Sequence, residues 1–222
     1  DGQRLAYVRS GADSTYLEWV DMSTLEIHKV VAKANFSTGW RPIRSPSWSP
    51  DGTFIAYATR SDRTTKISVT NLAGESRDIV VSDTRSPVSE PAWSRDGSQI
   101  AYVAQRALIG WTDIWTMFPD GGNPMNVTQR FRESEDLDGN HRNAPFKEPV
   151  WLDHNNFAFT ALGLWSGELE SETMTELLVD YEGGIRFPRW SMEGRLVYNS
   201  VRGNVFQLFL WEPGSRNWCR VP

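Results

Sequence analysis

The chain has 222 residues, 39% of them hydrophobic, and a formal net charge of −5. That length supports one domain of ordinary size with enough apolar surface for a core. The acidic balance and the lack of a dense basic stripe argue against nucleic-acid binding. No apolar run is long enough to span a membrane as a helix. The single cysteine, Cys219, excludes an internal disulfide framework.

The predicted elements repeat along the chain. Asp1-Gly2 leads into Leu5-Ala6-Tyr7, an apolar strand pattern after a turn signal. Pro46-Ser47-Trp48 then opens a motif that returns as Pro91-Ala92-Trp93, Pro149-Val150-Trp151 and Pro188-Arg189-Trp190. The four tryptophans lie 45, 58 and 39 residues apart, bracketing the span of a four-stranded propeller blade. Proline has no N–H and marks the start or the edge of a strand, and the tryptophan suits the layer between neighbouring blades. Ser49-Pro50-Asp51-Gly52 and Ser94-Arg95-Asp96-Gly97 follow as hairpin turns, because glycine supplies the positive φ that a tight turn needs.

Ile55-Ala56-Tyr57, Ile100-Ala101-Tyr102 and Leu196-Val197-Tyr198 give a second strand, and the central alanine of the first two suits the crowded space near a propeller axis. Ile67-Ser68-Val69-Thr70 and Asp113-Ile114-Trp115-Thr116-Met117 give a third, and Met125-Asn126-Val127-Thr128 a short fourth. The expected fold is all-β, a β-propeller of four-stranded antiparallel blades, with units at roughly 1–44, 45–89, 90–147, 148–186 and 187–222. The first unit lacks its Pro-x-Trp strand. Two arrangements fit: an arc of five units from a larger propeller, favoured by the mid-blade start, or five units in a ring with an incomplete first blade.

The Trp48-to-Tyr57 string, together with Asp113-Ile114-Trp115, Asp120-Gly121-Gly122 and Asn126-Val127-Thr128, resembles the repeat of TolB-type β-propellers. The pattern spans nearly the whole chain and is degraded in the fourth unit, where Asp153-His154-Asn155-Asn156 replaces the Asp-Gly turn. The resemblance implies a non-catalytic scaffold or sensor propeller within a larger bacterial protein. Its partner would be another protein or other domains of a longer parent chain, in the periplasm, outside the cell or in the cytoplasm. Two alternatives stand beside it: a gating propeller of a prolyl-oligopeptidase-type serine peptidase, with catalysis elsewhere, and a carbohydrate-binding propeller. Gly163-Leu164-Trp165-Ser166-Gly167 lacks the Gly-x-Ser-x-Gly spacing of a hydrolase elbow. His28, His141 and His154 have no metal-ligand spacing. Catalysis is therefore not expected.

Candidate binding residues come from the loops. The longest irregular stretch runs from Gln129 to Glu148, and long loops on a rigid scaffold commonly bind partners. Phe131, Arg132, His141 and Arg142 are its expected contacts. Within it, Ser134, Asp136 and Asp138 followed by Gly139 loosely resemble the start of a calcium loop. The twelfth position, however, is Pro145 rather than glutamate, and no other cofactor is indicated. Trp40, Trp111 and Trp165 fall in expected loops and are candidate exposed aromatics, to which a sugar could stack. The loop-bearing face carries 15 Lys or Arg against 11 Asp or Glu, which would suit an acidic partner.

Overall fold

The computed structural model describes residues 3–35, 42–106, 110–133, 144–171, 173–178, 184–191, 194–212 and 218–220, the last three as backbone only. Its strands form five antiparallel sheets, each built from strands consecutive in sequence. The first sheet has three: β1 (Arg4–Ser10), β2 (Ser14–Asp21) and β3 (Ile27–Ala34). The second holds β4 (Ile43–Trp48), β5 (Phe54–Arg60), β6 (Thr64–Asn71) and β7 (Ser76–Asp83). The third holds β8 (Val88–Trp93), β9 (Ile100–Gln105), β10 (Thr112–Met117) and the two-residue β11 (Met125–Asn126), after which comes the short helix α1 (Gln129–Glu133). The fourth comprises β12 (Lys147–Trp151), β13 (Asn156–Thr160), β14 (Leu164–Glu168) and β15 (Met174–Leu178). The fifth comprises β16 (Arg186–Trp190), β17 (Leu196–Arg202), β18 (Val205–Trp211) and β19 (Trp218–Arg220). Among the described residues the arrangement is a five-blade β-propeller of one three-stranded and four four-stranded sheets, and the Pro-x-Trp motif opens each of the four-stranded ones.

Each pair of successive sheets encloses one layer of the core, and strand alternation decides which residue enters which layer. Ile55 and Tyr57 pack back towards the first sheet, with Leu17, Ile43 and Trp48. Ala56 and Ala58, one position out of phase, pack forward with Ile100, Tyr102 and Trp93 of the third sheet. The rule repeats. Ile100 and Tyr102 point back, while Ala101 shares the next layer with Trp151, Phe157 and Phe159, and Ala158 shares the following one with Leu196, Tyr198 and Trp190. The central alanine therefore faces the tryptophan of the next blade, leaving room for its indole. This corrects the axial role expected for it in the four-stranded sheets, where β5, β9, β13 and β17 lie one strand away from the axis; the counterpart in the first sheet, Ala6 of β1, does line the axial cavity.

The turn chemistry is also local and repeated. Ser49 Oγ donates to Asp51 Oδ1 (2.5 Å) and accepts from the Phe54 N–H (2.9 Å), while Asp51 Oδ1 accepts from the Thr53 N–H (3.1 Å). Ser94 and Asp96 reproduce these bonds one blade later. The Ser49 hydroxyl, with that of Thr53, holds the Asp51 carboxyl below the usual carboxylate range. In the fourth blade Asp153 takes over by accepting from the N–H groups of Asn155 and Asn156 at 2.8 and 2.7 Å, so a turn persists without Asp-Gly. A different turn, before β11, seats a blade on its predecessor. Gly121 has φ +91°, and a Cβ there would meet the Ile79 carbonyl oxygen of β7 at 2.5 Å. Positive φ and a fixed backbone neighbour both require glycine at that position.

Candidate functional site

The innermost strand of every blade borders one axial cavity of about 920 Å³, lined by β1, β4, β8, β12 and β16. In the four blades that carry the repeat, proline shapes this wall. It cannot donate to the ladder, so the register slips between Arg44 and Ser47, Ser89 and Ala92, Lys147 and Val150, and Arg186 and Arg189. The residue before each proline is displaced into the left-handed region: Ser45 at φ 50°, Glu90 at 55°, Glu148 at 55° and Phe187 at 53°. That conformation costs a non-glycine residue on the order of 1 kcal/mol. All four residues line the cavity.

A bulge takes an N–H off the ladder, and two of the displaced N–H groups are recovered by carboxylates. The Glu148 N–H donates to Glu90 Oε2 (2.6 Å), and the Phe187 N–H donates to Glu148 Oε2 (2.9 Å). Each glutamate thus links its own blade to the next. Thr160 Oγ1 also donates to Glu148 Oε2 at 3.2 Å. Burial pushes the Glu90 carboxyl above the usual carboxylate range; the Glu148 N–H opposes that shift and the Glu148 charge reinforces it. Arg189, an exposed residue, borders the same cavity; the protein around its guanidinium lowers its pKa, and the charges of Glu148 and Glu90 oppose that shift. Its Nη1 donates to the Pro188 carbonyl at 2.8 Å. Among the described residues no direct ion pair joins Arg189 to either glutamate.

A second polar constellation sits under the long crossover. Asp113 is fully buried and accepts from Arg132 Nε (2.9 Å), Arg106 Nε (2.6 Å) and Asn126 Nδ2 (3.1 Å). Arg132 Nη2 donates to the carbonyls of Thr112 (2.7 Å) and Ala144 (3.2 Å), and the guanidinium lies 3.9 Å from the Phe146 ring centroid. Burial lowers the Arg132 pKa, and Asp113 opposes that shift. Phe131 packs beside it, 4.9 Å from the Trp165 ring and 5.8 Å from Phe146. Both residues expected to reach a partner are therefore turned inward. Arg132 is 3% exposed, and its donors serve the protein's own acceptors.

Trp165 lies on β14 rather than in a loop and donates to the Ala161 carbonyl (3.2 Å), while half-buried Trp111 stands 5.3 Å from the Arg132 guanidinium. Trp40, His141, Arg142, Ser134, Asp136 and Asp138 lie outside the described residues. Among the described residues no three His, Cys, Asp or Glu side chains are grouped to hold a metal ion, and no helix is long and apolar enough to cross a membrane. Sequence reasoning passed over Glu90, Glu148 and Arg189. The available signal was the residue ahead of each repeated proline, which is glutamate in two of the four copies.

No protein-family model and no curated protein sequence matches the chain. Solved structures do. TolB from Acinetobacter baumannii superposes with a TM-score of 0.73 at 16% identity, over 96% of this chain and 49% of that one. A putative TolB from Agrobacterium tumefaciens gives 0.71 at 18%, over 97% and 76%. Prolyl oligopeptidase B from Galerina marginata gives 0.62 at 13%, over 100% and 34%. The chain spans about half the length of the Acinetobacter protein. With five blades, inward-facing Pro-x-Trp strands and these superpositions, the chain has a TolB-like β-propeller fold.

Proposed function

We propose that this chain is a non-catalytic protein-interaction propeller, a scaffold or sensor module working within a longer bacterial protein. The observation that carries this reading is the clamp beneath the longest crossover. Arg132 on one side and the Ala144 carbonyl on the other are joined directly at 3.2 Å; Arg132 is also bonded to buried Asp113, and Ala144 packs in the same apolar cluster as Phe146 and Phe131. Fixing the two ends of a loop in advance lowers the ordering entropy lost when it meets a partner.

The test replaces residues 134–143 with a short Gly-Ser bridge and repeats affinity capture from lysate of the source organism. Loss of a stoichiometric partner from a variant with native circular dichroism supports the reading; unchanged capture removes it. The gating alternative draws on the likeness to prolyl oligopeptidase B, of which this chain covers one third. A Gly-x-Ser-x-Gly segment elsewhere in the parent gene would favour that alternative. The carbohydrate reading loses support, because Trp111 and Trp165 are tied into the blades.

A further inference from the structure

We propose that the inner edge of β1, which opens onto the axial cavity, is a docking site for an extended strand of a protein partner that carries the Pro-x-Trp pattern. The site is separate from the crossover, so replacing residues 134–143 leaves it in place. In each four-stranded sheet the Pro-x-Trp strand pairs with the strand that holds Ile55-Ala56-Tyr57 or its counterpart. β1 holds the same counterpart, Leu5-Ala6-Tyr7, yet it is the edge of its own sheet. Among the described residues no strand pairs with it from the axial side. Leu5, Ala6, Tyr7 and Val8, from both faces of the pleat, border the cavity, as an uncovered edge would.

The main chain of that edge is set for pairing. The Met22 N–H donates to the Gln3 carbonyl and the Gly11 N–H to the Ser14 carbonyl, and the register between them is unbroken. Hydrogen-bonded pairs alternate along an antiparallel ladder. Leu5, Tyr7 and Arg9 therefore bond to β2, and the N–H and carbonyl groups of Ala6 and Val8 point to the axial side. Between Leu5 and Val8 there is no proline or charged residue to block an added strand.

The other sheets show what such an edge accepts. The residue between proline and tryptophan stands opposite the counterpart of Ala6 in all four: Ser47 opposite Ala56, Ala92 opposite Ala101, Val150 opposite Ala158 and Arg189 opposite Val197. The tryptophan stands opposite the counterpart of Leu5, on Ile55, Ile100, Phe157 and Leu196. Carried onto β1, this register sets the partner's middle residue on Ala6 and its tryptophan on Leu5, which is 53% exposed. Strand addition draws affinity from main-chain hydrogen bonds and specificity from alternate side chains. The middle residue varies from alanine to arginine, so the tryptophan carries the specificity.

The test titrates the chain with a capped peptide of the sequence Val88–Ser94, by calorimetry and by amide hydrogen exchange. The expected result is saturable binding that slows exchange at Ala6 and Val8 by at least about tenfold and leaves Leu5 and Tyr7, already bonded to β2, unchanged. Methylating the peptide nitrogen of Ala92 removes the N–H that would donate to the Ala6 carbonyl, and Trp93→Ala removes the side chain opposite Leu5. Each change should weaken binding by about tenfold. In the protein, Ala6→Pro removes the edge donor, spares the bonds to β2 and should weaken the unmodified peptide likewise. Should that variant fail to fold, the methylated peptide still decides. In the full-length parent protein, slow exchange at Ala6 and Val8 only on adding peptide assigns the strand to a partner. Slow exchange without peptide means that the parent chain fills the edge itself, and overturns the proposal. No saturable binding at millimolar peptide, equal binding of the methylated peptide, or protection that misses Ala6 and Val8 would each overturn it as well.

Discussion

Replacing Arg132 by methionine tests whether the crossover clamp holds blades three and four together. Methionine keeps much of the aliphatic stem and removes the guanidinium together with its contact on the Phe146 ring. Asp113 Oδ1 and the Ala144 carbonyl lose the donors that Arg132 supplies, while the Thr112 carbonyl loses one and keeps the Phe146 N–H at 3.2 Å. Asp113 is fully buried, and removing one partner of a buried pair typically costs about 3–5 kcal/mol. Arg106 and Asn126 still serve Oδ2 and moderate the loss, which places the expected cost near the lower end, about 3 kcal/mol. With a urea m-value of about 3 kcal/mol/M for a chain of this size, the midpoint should fall by about 1 M. The assay is equilibrium urea unfolding followed by tryptophan fluorescence. The double variant Asp113→Asn, Arg132→Met supplies the control. Asparagine carries no charge to strand, so the two changes together should cost less than their sum by at least about 1 kcal/mol. A midpoint shift below about 0.3 M, or strict additivity, would refute the clamp.

Two further predictions concern the repeat. The Trp151 indole donates to the Ala92 carbonyl of the preceding blade at 2.9 Å, whereas the indole N–H of Trp93 is buried without a partner. Trp151→Phe should therefore cost about 1 kcal/mol more than Trp93→Phe in urea unfolding, and equal costs would contradict the assignment. For Glu90 the folded-state pKa lies above the unfolded value, so the native protein holds the proton more tightly. Ionisation then reduces stability as pH rises from about 4.3, the unfolded value, through the folded one. Glu90→Gln should melt higher than wild type at pH 7 and lose that advantage near pH 4. A constant difference between the two pH values would show that the charge is not responsible.

The features legible in the sequence were those whose cause is local. Ser49 and Asp51 close their turn with their own atoms, and alternation along Ile55-Ala56-Tyr57 needs only the pleat. The tryptophan layer followed from repetition alone. The axial site was hidden because its causes lie between blades. A proline predicts an edge, but the carboxylate that accepts the displaced N–H of Glu148 belongs to Glu90, 58 residues earlier. Arg132 misled for the same reason. A charged residue in a long polar stretch reads as solvent-facing until Asp113, 19 positions earlier, is seen beneath it. The resemblance to TolB repeats identified the architecture, while the chemistry at the axis depends on the residues ahead of the prolines.

Among the described residues no strand of one sheet is hydrogen-bonded to the ladder of another, so successive sheets meet through side chains. The carboxylates of Glu90 and Glu148 are cross-braces over that joint, because each carries a main-chain N–H of the following sheet on a side chain of its own. The Trp93 N–H on Ser47 Oγ does the same between the second and third sheets. The angle between neighbouring sheets is therefore set by hydrogen-bond geometry as well as by the fit of apolar side chains.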